Sequence, residues 1–280
     1  MKKNWIVTGA SSGLGQEIAR LAAARGDGVV GTVRSAQQAA ALERDIPGIV
    51  AVVGDLTVPG TPQALVRQAM DRLGDIDILV NNAGRGFTAA VEEASDAEIR
   101  SVFELNFFAQ IAMIQSVLPQ MRQRRSGTLV NVTSISGFKP WSGTGIYCAS
   151  KFAMEGLGQT LAQEVASMGI RVMNVQPGGL RTNFNGASLG ASQVMIEDYD
   201  QTAHIARRAL ANAHGKQPGN PHLAATIVLA ALDAEKLPLN LLLGSDAYSM
   251  ARSRINELLG DMNGWEESAA AIGFTAETAI

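Results

Sequence analysis

Short runs of apolar and β-branched residues alternate along the chain with longer stretches that have helical periodicity. Continuous apolar runs of this kind are typical of strands that are buried on both faces of a parallel sheet. The runs that predict strands are Trp5–Thr8, Val29–Val33, Ile49–Val53, Ile76–Val80, Thr128–Val132, Arg171–Gln176 and Leu239–Leu243. The stretches that predict helices are Leu14–Arg25, Thr61–Leu73, Ala97–Arg124 and Tyr147–Ser167. This alternation predicts an α/β fold with a doubly wound parallel sheet, in one domain that spans residues 1–280.

Two regions depart from the regular alternation. Several glycines and prolines interrupt residues 179–220, around a helical pattern at Val194–Leu210. A long excursion before the last strand predicts a lid or substrate segment. Residues 245–280 form a tail with an amphipathic segment near Met250–Leu259, which we expect to pack on the core or on another subunit.

Composition narrows the functional class. A hydrophobic content of 46% is ample for a buried core, and a net charge of −3 gives no electrostatic reason to expect nucleic acid or an anionic membrane as partner. No apolar stretch of signal-peptide length precedes the glycine-rich N-terminal region, and no run approaches the ~18 apolar residues of a membrane span. We therefore expect a soluble cytoplasmic protein.

Cysteine and histidine give no sign of a metal site. Cys148 is the single cysteine, so no internal disulfide can form, and we interpret it as a packing residue. His204, His214 and His222 are too scattered to form a zinc motif. We predict no metal, and we expect His204 and His214 at the surface rather than against a substrate.

The first predicted strand leads into a glycine-rich loop, T-G-A-S-S-G-L-G from Thr8 to Gly15. Glycines at positions 9, 13 and 15 allow a tight turn, close backbone approach to a pyrophosphate and close helix packing. The N–H groups and dipole at the start of the next helix favour phosphate. The spacing is G-x-x-x-G-x-G and differs from the general dinucleotide fingerprint. The loop predicts a dinucleotide site in a Rossmann fold, with a ligand-free glycine turn as the alternative.

The end of the second predicted strand bears on the choice of nicotinamide cofactor. A carboxylate there would bond the ribose 2′-OH of NAD, whereas an arginine accommodates the 2′-phosphate of NADP. The sequence is V-G-T-V-R-S, with Val33 at the carboxylate position and Arg34 after it. NADP(H) is therefore favoured over NAD(H), unless Arg34 is a solvated strand-end charge.

Polar residues also follow the third and fourth predicted strands. Asp55 could accept a bond from an adenine amino group, or it could be a turn residue. Asn82, Ala83 and Gly84 lie at the carboxyl edge, where sheets of this type bind ligands. Both segments are ordinary turn formers by composition, so neither identifies a ligand by itself.

Tyr147 and Lys151 are four residues apart and share one face of a predicted helix. A nearby ammonium favours the phenolate, so we expect Lys151 to lower the pKa of Tyr147 from its usual ~10. Ser134, thirteen residues before the tyrosine, could hydrogen-bond a substrate oxygen and orient it. A chance surface pair is the alternative for the Tyr-x-x-x-Lys spacing alone.

The glycine loop, Asn82-Ala83-Gly84, Asn106, Ser134, Tyr147 and Lys151 occur in an order that resembles the short-chain dehydrogenase/reductase family, in its compact single-domain branch. The resemblance covers roughly residues 3–182, with a weaker match at the last strand. It implies that Tyr147 is the general acid/base and Ser134 the anchor of the substrate oxygen. Lys151 would hold the nicotinamide ribose and tune the tyrosine, and Asn106 would hold a water in a proton relay.

The resemblance also implies which residues surround the cofactor. Pro177 and Gly178 would lie at the nicotinamide, and Thr182 would bond its carboxamide. The complete predicted cofactor site is Gly9, Ser11, Ser12, Gly13, Leu14, Gly15, Arg34, Asp55, Leu56, Asn82, Ala83, Gly84, Tyr147, Lys151, Pro177, Gly178 and Thr182.

These features predict an NADP(H)-dependent oxidoreductase that interconverts a ketone or aldehyde and an alcohol. The apolar residues of the excursion favour a hydrophobic substrate, with Trp141, Phe184, Met195 and Tyr199 as candidates for a pocket wall. The alternatives are an NAD-dependent alcohol dehydrogenase of the same family, a nucleotide-sugar enzyme of the same fold and a cofactor-sensing protein without turnover. The resemblance further implies a homodimer or homotetramer.

Overall fold

The computed structural model describes residues 2–186 and 188–273. Its centre is a parallel sheet of seven strands in the order β3-β2-β1-β4-β6-β7-β9. These strands are β1 (Asn4–Val7), β2 (Gly28–Val33), β3 (Val50–Val53), β4 (Ile78–Asn81), β6 (Gly127–Val132), β7 (Ile170–Pro177) and β9 (Asn240–Leu243). All seven predicted strands are confirmed, with bounds within two residues of those expected.

Nine α-helices connect and cover the strands in the described part of the chain. They are α1 (Gly13–Ala24), α2 (Ala36–Asp45), α3 (Thr61–Leu73), α4 (Asp96–Phe103), α5 (Ala109–Arg124), α6 (Gly145–Val165), α7 (Ala203–Asn212), α8 (Pro221–Asp233) and α9 (Ser245–Ala270). The sequence analysis missed α2 and α8. Helix α2 has one fully buried residue, Leu42, so its apolar stripe is too weak to detect. Helix α8 begins where Asn220 caps it and Pro221 opens the first turn.

Two of the predicted helices have boundaries in the structure that differ from the predicted ones. The stretch Ala97–Arg124 is divided by a π-helical turn, Glu104–Phe108, between α4 and α5. The predicted helix Val194–Leu210 is wrong in its first half, because α7 starts at Ala203. The N–H of Ile196 donates to the buried carboxylate of Glu93 at 2.7 Å, and this tertiary hydrogen bond takes the place of a helical one.

The sheet separates two apolar cores. Helices α1 and α8 cover one face, where Ile18, Val29 and Val228 are buried together. Helices α3 and α5 cover the other face, with Leu65, Met113 and Val117 in its core. Because helices cover both faces of the sheet, its strands are continuous apolar runs and do not alternate between apolar and polar residues.

The continuous helical stretch Asp96–Arg124 is long and apolar enough to cross a membrane, which the sequence analysis did not recognise. A core helix of a soluble protein meets the same criteria. Met113, Val117 and Met121 on this stretch are fully buried against the sheet, and 39% of its most apolar part is buried.

A second, two-stranded parallel sheet was not predicted. It pairs β5 (Gly86–Thr88) with β8 (Leu189–Ala191), and Phe87 lies opposite Gly190. Strands of three residues that contain glycine are too short to give a periodic signal. This small sheet joins the excursion at residues 179–220 to the loop that follows β4.

Candidate active site

The predicted site residues meet at the carboxyl edge of the large sheet. The strand order reverses between β1 and β4, and such a switch point opens a crevice between the loops that follow the two strands. A cleft of about 890 Å³ begins there and continues along the carboxyl ends of β6 and β7. Every predicted catalytic or cofactor residue lines this cleft except Gly15 and Asn106, which lie directly behind its wall.

The glycine loop has the backbone geometry that a phosphate cradle requires. Gly9 and Gly13 have φ values of 64° and 62°, in the left-handed region that favours glycine. A Cβ atom on Gly9 would lie 3.0 Å from Cα of Ala83, and one on Gly15 would collide with the side-chain amide of Asn82. Ser12 precedes α1 with no side-chain cap, so the first N–H groups of the helix face the cleft without that partner.

Hydrogen bonds fix this loop to the strand across the switch point. The hydroxyl of Thr8 accepts bonds from the N–H groups of Asn82 and Ala83, at 2.9 and 3.0 Å. In return, Nδ2 of Asn82 donates to the carbonyl oxygens of Thr8 and Gly9, at 2.8 and 3.2 Å. Asn82 therefore orders the floor of the cleft, a role that its turn-forming composition did not reveal.

At one end of the cleft lie the residues predicted to discriminate between cofactors. Arg34 is exposed at the end of β2, and its N–H donates to Gln38 at 3.0 Å, in the first turn of α2. The carboxylate of Asp55 accepts hydrogen bonds from the N–H and hydroxyl of Thr57, and chiefly the backbone bond lowers the pKa of Asp55. Asp55 is therefore a turn residue that also lines the cleft.

Ser134, Tyr147 and Lys151 form a group at the ends of β6 and α6. Nζ of Lys151 lies 5.9 Å from the centre of the Tyr147 ring and donates to the carbonyl of Val132 at 3.0 Å. Burial lowers the pKa of Lys151 to about 8, so its ammonium form dominates at neutral pH. Ser134 begins a short 3₁₀ turn and accepts a bond from the N–H of Ser136 at 3.1 Å.

The pKa of Tyr147 differs from the expectation. Burial raises it above the usual value of the phenol, and a hydrogen bond with Ser134 offsets only part of that rise. The expected lowering by Lys151 is absent because the buried phenol is separated from the ammonium by several ångströms and lies in an apolar contact with Phe184. Tyr147 is therefore a protonated phenol at neutral pH.

Asn106 lies in the π-helical turn and is fully buried. Its Oδ1 accepts from the N–H of Arg85 at 2.9 Å, and its Nδ2 donates to the carbonyl of Arg85 and to the hydroxyl of Ser150. That hydroxyl donates to the carbonyl of Tyr147 at 2.7 Å. The amide thus links the loop after β4 to the helix that carries Tyr147 and Lys151.

Sequence reasoning missed a buried carboxylate behind the catalytic group. Glu155 is 4% exposed and accepts hydrogen bonds from the hydroxyl of Thr133 and, at 3.0 Å, from Nδ2 of Asn174. Thr133 stands between Val132, which binds Lys151, and Ser134. The spacing 147, 151, 155 repeats every four residues on α6, and this signal could have identified Glu155 from the sequence.

The segment after β7 forms the end of the cleft where the resemblance places the nicotinamide. Pro177 ends the strand, Gly178 follows it, and Thr182 lies across the cleft from the glycine loop. A Cβ atom on Gly13 would lie 3.3 Å from Cβ of Thr182, so these two loops meet at the mouth of the cleft.

The excursion forms the other wall of the cleft and is partly apolar. Among the candidates for this wall, Trp141 and Phe184 line the cleft, whereas Met195 and Tyr199 do not. The ring of Phe184 lies 5.7 Å from that of Tyr147, centre to centre. Phe87, Leu189 and Met250 add further apolar surface.

His204 is buried, and the expectation of a surface position is wrong. Its two ring nitrogens lie 2.6 Å from Glu93 and 2.6 Å from Asp200. Hydrogen bonds to Asp200 and then Glu93 raise the pKa of His204. Burial tends to raise the pKa of Glu93, but bonds from the N–H of Ile196 and from His204 outweigh it and lower the pKa. This charged group fastens the excursion to the turn at Val91–Glu93.

Within residues 2–186 and 188–273, no group of three or more His, Cys, Asp or Glu side chains is arranged to hold a metal ion.

Comparisons with known proteins agree on the family. The sequence profile described as short chain dehydrogenase matches residues 3–191. The oxidoreductase BOA17 of Botryotinia fuckeliana is 34% identical over 277 residues, which cover 97% of this chain and 99% of that protein. The structure of a short-chain dehydrogenase from Streptomyces avermitilis has a TM-score of 0.90 and 37% identity, and the match covers 97% of this chain and 98% of that chain.

A second solved structure contains a cofactor. A variant of the actinorhodin polyketide ketoreductase with NADPH matches at a TM-score of 0.73 and 26% identity, over 86% of this chain and 95% of that chain. The family profile spans most of the sheet, and the fungal relative matches nearly the whole chain. The chain therefore belongs to the short-chain dehydrogenase/reductase family and is an NAD(P)-dependent oxidoreductase that acts on CH–OH groups.

Proposed function

We propose that this enzyme uses NADP(H) to interconvert a hydrophobic ketone or aldehyde and the corresponding alcohol. The observation that carries the proposal is one continuous cleft with a glycine cradle and Arg34 at one end and Ser134, Tyr147 and Lys151 at the other. Hydride transfer between a dinucleotide and a carbonyl compound needs a phosphate cradle and a proton-transfer group within the same cleft.

The residues present fit a dinucleotide. A Cβ atom at Gly9, Gly13 or Gly15 would press on Ala83, Thr182 or Asn82, so the loop packs in this form only with glycine at the three positions. A glycine backbone at the start of a helix can approach a phosphate closely. Leu14 and the serines at 11 and 12 would contact the pyrophosphate. Leu56 and Asp55 would surround the adenine, and the turn after β4 would lie under the ribose.

Arg34 supports the preference for NADP(H). Its side chain is exposed at the cleft, next to Gln38, and Val33 occupies the position where a carboxylate would select NAD. A guanidinium can bind a phosphate through two parallel hydrogen bonds. The polyketide ketoreductase relative is associated with NADPH as well.

When bound, the nicotinamide supplies or accepts the hydride at the carbonyl carbon. Ser134 hydrogen-bonds the carbonyl oxygen and orients it toward Tyr147, whose phenol donates a proton to that oxygen during reduction. The raised pKa of Tyr147 keeps this proton in place at neutral pH. Lys151 holds the nicotinamide ribose and, as an ammonium, stabilises the phenolate that forms in the transition state.

We assign to Asn106 the water that returns a proton to Lys151. Both side-chain N–H groups of Asn106 already donate to protein oxygens. The water would therefore donate a hydrogen bond to a carbonyl oxygen of this residue. Its hydrogen bonds to Arg85 and Ser150 also make it a positioning residue for the catalytic helix.

The substrate would enter beneath the excursion at residues 179–220, which we propose as the lid. Trp141, Phe184 and Leu189 give this side of the cleft an apolar wall, which favours a hydrophobic carbonyl compound. The name of the polyketide ketoreductase relative is consistent with a ketone substrate.

We further propose a cytoplasmic homodimer or homotetramer. The predicted helices Ala97–Arg124 and Tyr147–Ser167 resemble those that pair between subunits in the family, and they carry Phe108 and Phe152, which are 52% and 40% exposed. Large exposed aromatic side chains of this kind are typical of protein interfaces.

The proposal is tested by a panel of hydrophobic ketones and secondary alcohols, with turnover followed by nicotinamide absorbance. We expect reduction with NADPH, and we expect Tyr147→Phe to lose about 10²- to 10⁴-fold in kcat while its Kd for NADPH stays near native. Full activity of Tyr147→Phe would exclude the mechanism. Tight NADPH binding without turnover on any panel member would favour the cofactor-sensing alternative.

A further inference from the structure

Helix α9 has a packed base and an exposed arm. At the base, Ala247 and Ala251 are buried, and Asp246 accepts a hydrogen bond from the N–H of Gly179 at 2.7 Å. From Ile255 to Ala270 every residue is exposed, and the ion pair between Lys139 and Glu257 ties the start of this arm to the body. The arm therefore extends for about four turns beyond the packed part of the helix.

The exposed arm carries an apolar seam with heptad spacing. The seam residues are Ile255, Leu258, Met262, Trp265 and Ala269, with intervals of three, four, three and four. Met262 and Trp265 are 64% and 71% exposed, which is unusual for large apolar side chains on a soluble domain. Alternating intervals of three and four are those of helices that pair along a common seam.

The arm also contains two residues that disfavour an isolated helix. Gly260 and Gly264 are weak helix formers, and a Cβ atom at either position would meet open space. Both lie away from the apolar seam in the heptad. A helix surrounded by solvent and weakened by glycine depends on packing of its apolar face, so the seam requires a partner.

The charges of the helix select the kind of partner. Arg252 and Arg254 lie at the base of the arm, whereas Glu266 and Glu267 lie toward its end and Asp261 lies near its middle. If two of these helices lie side by side in opposite directions, the arginines at the start of each arm lie beside the acidic end of the other arm. A parallel pair would place like charges together, and an anionic lipid surface would repel the acidic end.

We propose that the exposed arm of α9 pairs with the same arm of a second copy of this chain, in antiparallel orientation. Heptad geometry then places Leu258 of each copy against Met262 of the other and Ile255 against Trp265. In the same register Arg252 of one copy lies beside Glu266 of the other. This interface concerns assembly alone and is independent of the proposed reaction.

The first test compares two variants of the full-length protein that introduce the same charge on opposite faces of the arm. Met262→Glu places a carboxylate in the seam, and Asn263→Glu places it on the outer face as a matched control. We expect Met262→Glu to weaken self-association by more than about tenfold in sedimentation or light scattering, because a buried unpaired charge is unfavourable. Asn263→Glu should associate like the native chain, and equal masses for all three proteins would overturn the proposal.

The second test addresses orientation. Arg252→Glu and Glu266→Arg should each weaken self-association several-fold, and the double variant should restore it. Failure of the double variant to restore association would contradict the antiparallel register. If the native protein binds phosphatidylcholine vesicles and Met262→Glu abolishes that binding without a change in mass, the seam faces lipid and the pairing is wrong. Far-ultraviolet circular dichroism and turnover establish that each variant is folded.

Discussion

At the scale of single residues, protonation at the catalytic group is governed by burial. Burial raises the pKa of Tyr147 and lowers that of Lys151 to about 8, so near neutral pH the phenol and the ammonium coexist. This is the pair of protonation states that carbonyl reduction requires, since the phenol gives up its proton while the ammonium stabilises the resulting charge.

Glu155 makes a testable contribution to that balance. Its negative charge counteracts the effect of burial and raises the pKa of Lys151. The rate of reduction should therefore fall as the pH rises through about 8, where Lys151 loses its charge, and in Glu155→Gln this fall should begin at lower pH. Glu164→Gln, at an exposed position on the same helix, is the matched control and should keep the native profile.

A purely structural role for Glu155 gives a different result. It would lower kcat by the same factor at every pH, without a displacement of the alkaline limb. Measurement of kcat from pH 6 to 10 in the three proteins separates the two outcomes.

The proposed catalytic residues could be picked out from the sequence because the family resemblance fixes their types and spacing. Tyr147 and Lys151 are four apart on α6, and Ser134 follows β6. The direction of the Tyr147 pKa shift was not predictable, because it depends on how completely Phe184 and the surrounding loops exclude water.

At the scale of elements, two independent sets of contacts hold the proposed lid, residues 179–220, to the body. The small sheet of β5 and β8 provides backbone hydrogen bonds, and His204 provides a charged link between Glu93 and Asp200. The contact made by His204 depends on pH. Because the pKa of His204 is raised, its imidazole stays protonated to higher pH than a free histidine, and the charged link is lost as the pH rises through that elevated pKa.

Removal of the histidine should loosen the lid without affecting the cofactor. We expect His204→Leu to raise KM for the carbonyl substrate and to increase hydrogen exchange in residues 188–204, because two carboxylates then face an apolar side chain. The Kd for NADPH should stay near native. His222→Leu, at an exposed position at the start of α8, is the control, and an equal rise in KM for both variants would contradict the role of His204.

Elements that bury a continuous apolar surface were predictable, and elements defined by a few tertiary contacts were not. The seven strands of the large sheet are apolar on both faces, so their sequence identifies them. The strands β5 and β8 exist because Phe87 and Leu189 cover the cleft, and the π-helical turn exists where Asn106 turns inward to Arg85 and Ser150. Neither condition leaves a periodic pattern in the sequence.

At the scale of the whole molecule, the cofactor would link the two halves of the sheet. The proposed contacts come from β1, β2 and β3 on one side of the switch point and from β4, β6 and β7 on the other. A ligand that binds the folded state alone stabilises it by about 2.7 kcal/mol at a concentration of 100 Kd.

This linkage gives a stability test of the cofactor preference. For a chain of this size we expect NADPH at 100 Kd to raise Tm by about 5–10 °C. At the same concentrations Arg34→Ser should reduce the shift with NADPH but keep the shift with NADH, since the substitution removes the proposed phosphate ligand. Arg44→Ser, on an exposed part of α2 outside the cleft, should behave like the native protein. A larger shift with NADH than with NADPH in the native protein would reverse the preference.

Transfer of deuterium from the cofactor to the product tests the central claim most directly. The enzyme is incubated in ordinary water with a hydrophobic ketone that it reduces and with NADPH fully deuterated at C4 of the nicotinamide, and the alcohol is examined by mass spectrometry. The account predicts one deuterium on the carbinol carbon with native enzyme and almost no product with Tyr147→Phe. An alcohol without deuterium at that carbon, or an undiminished yield from Tyr147→Phe, would contradict it.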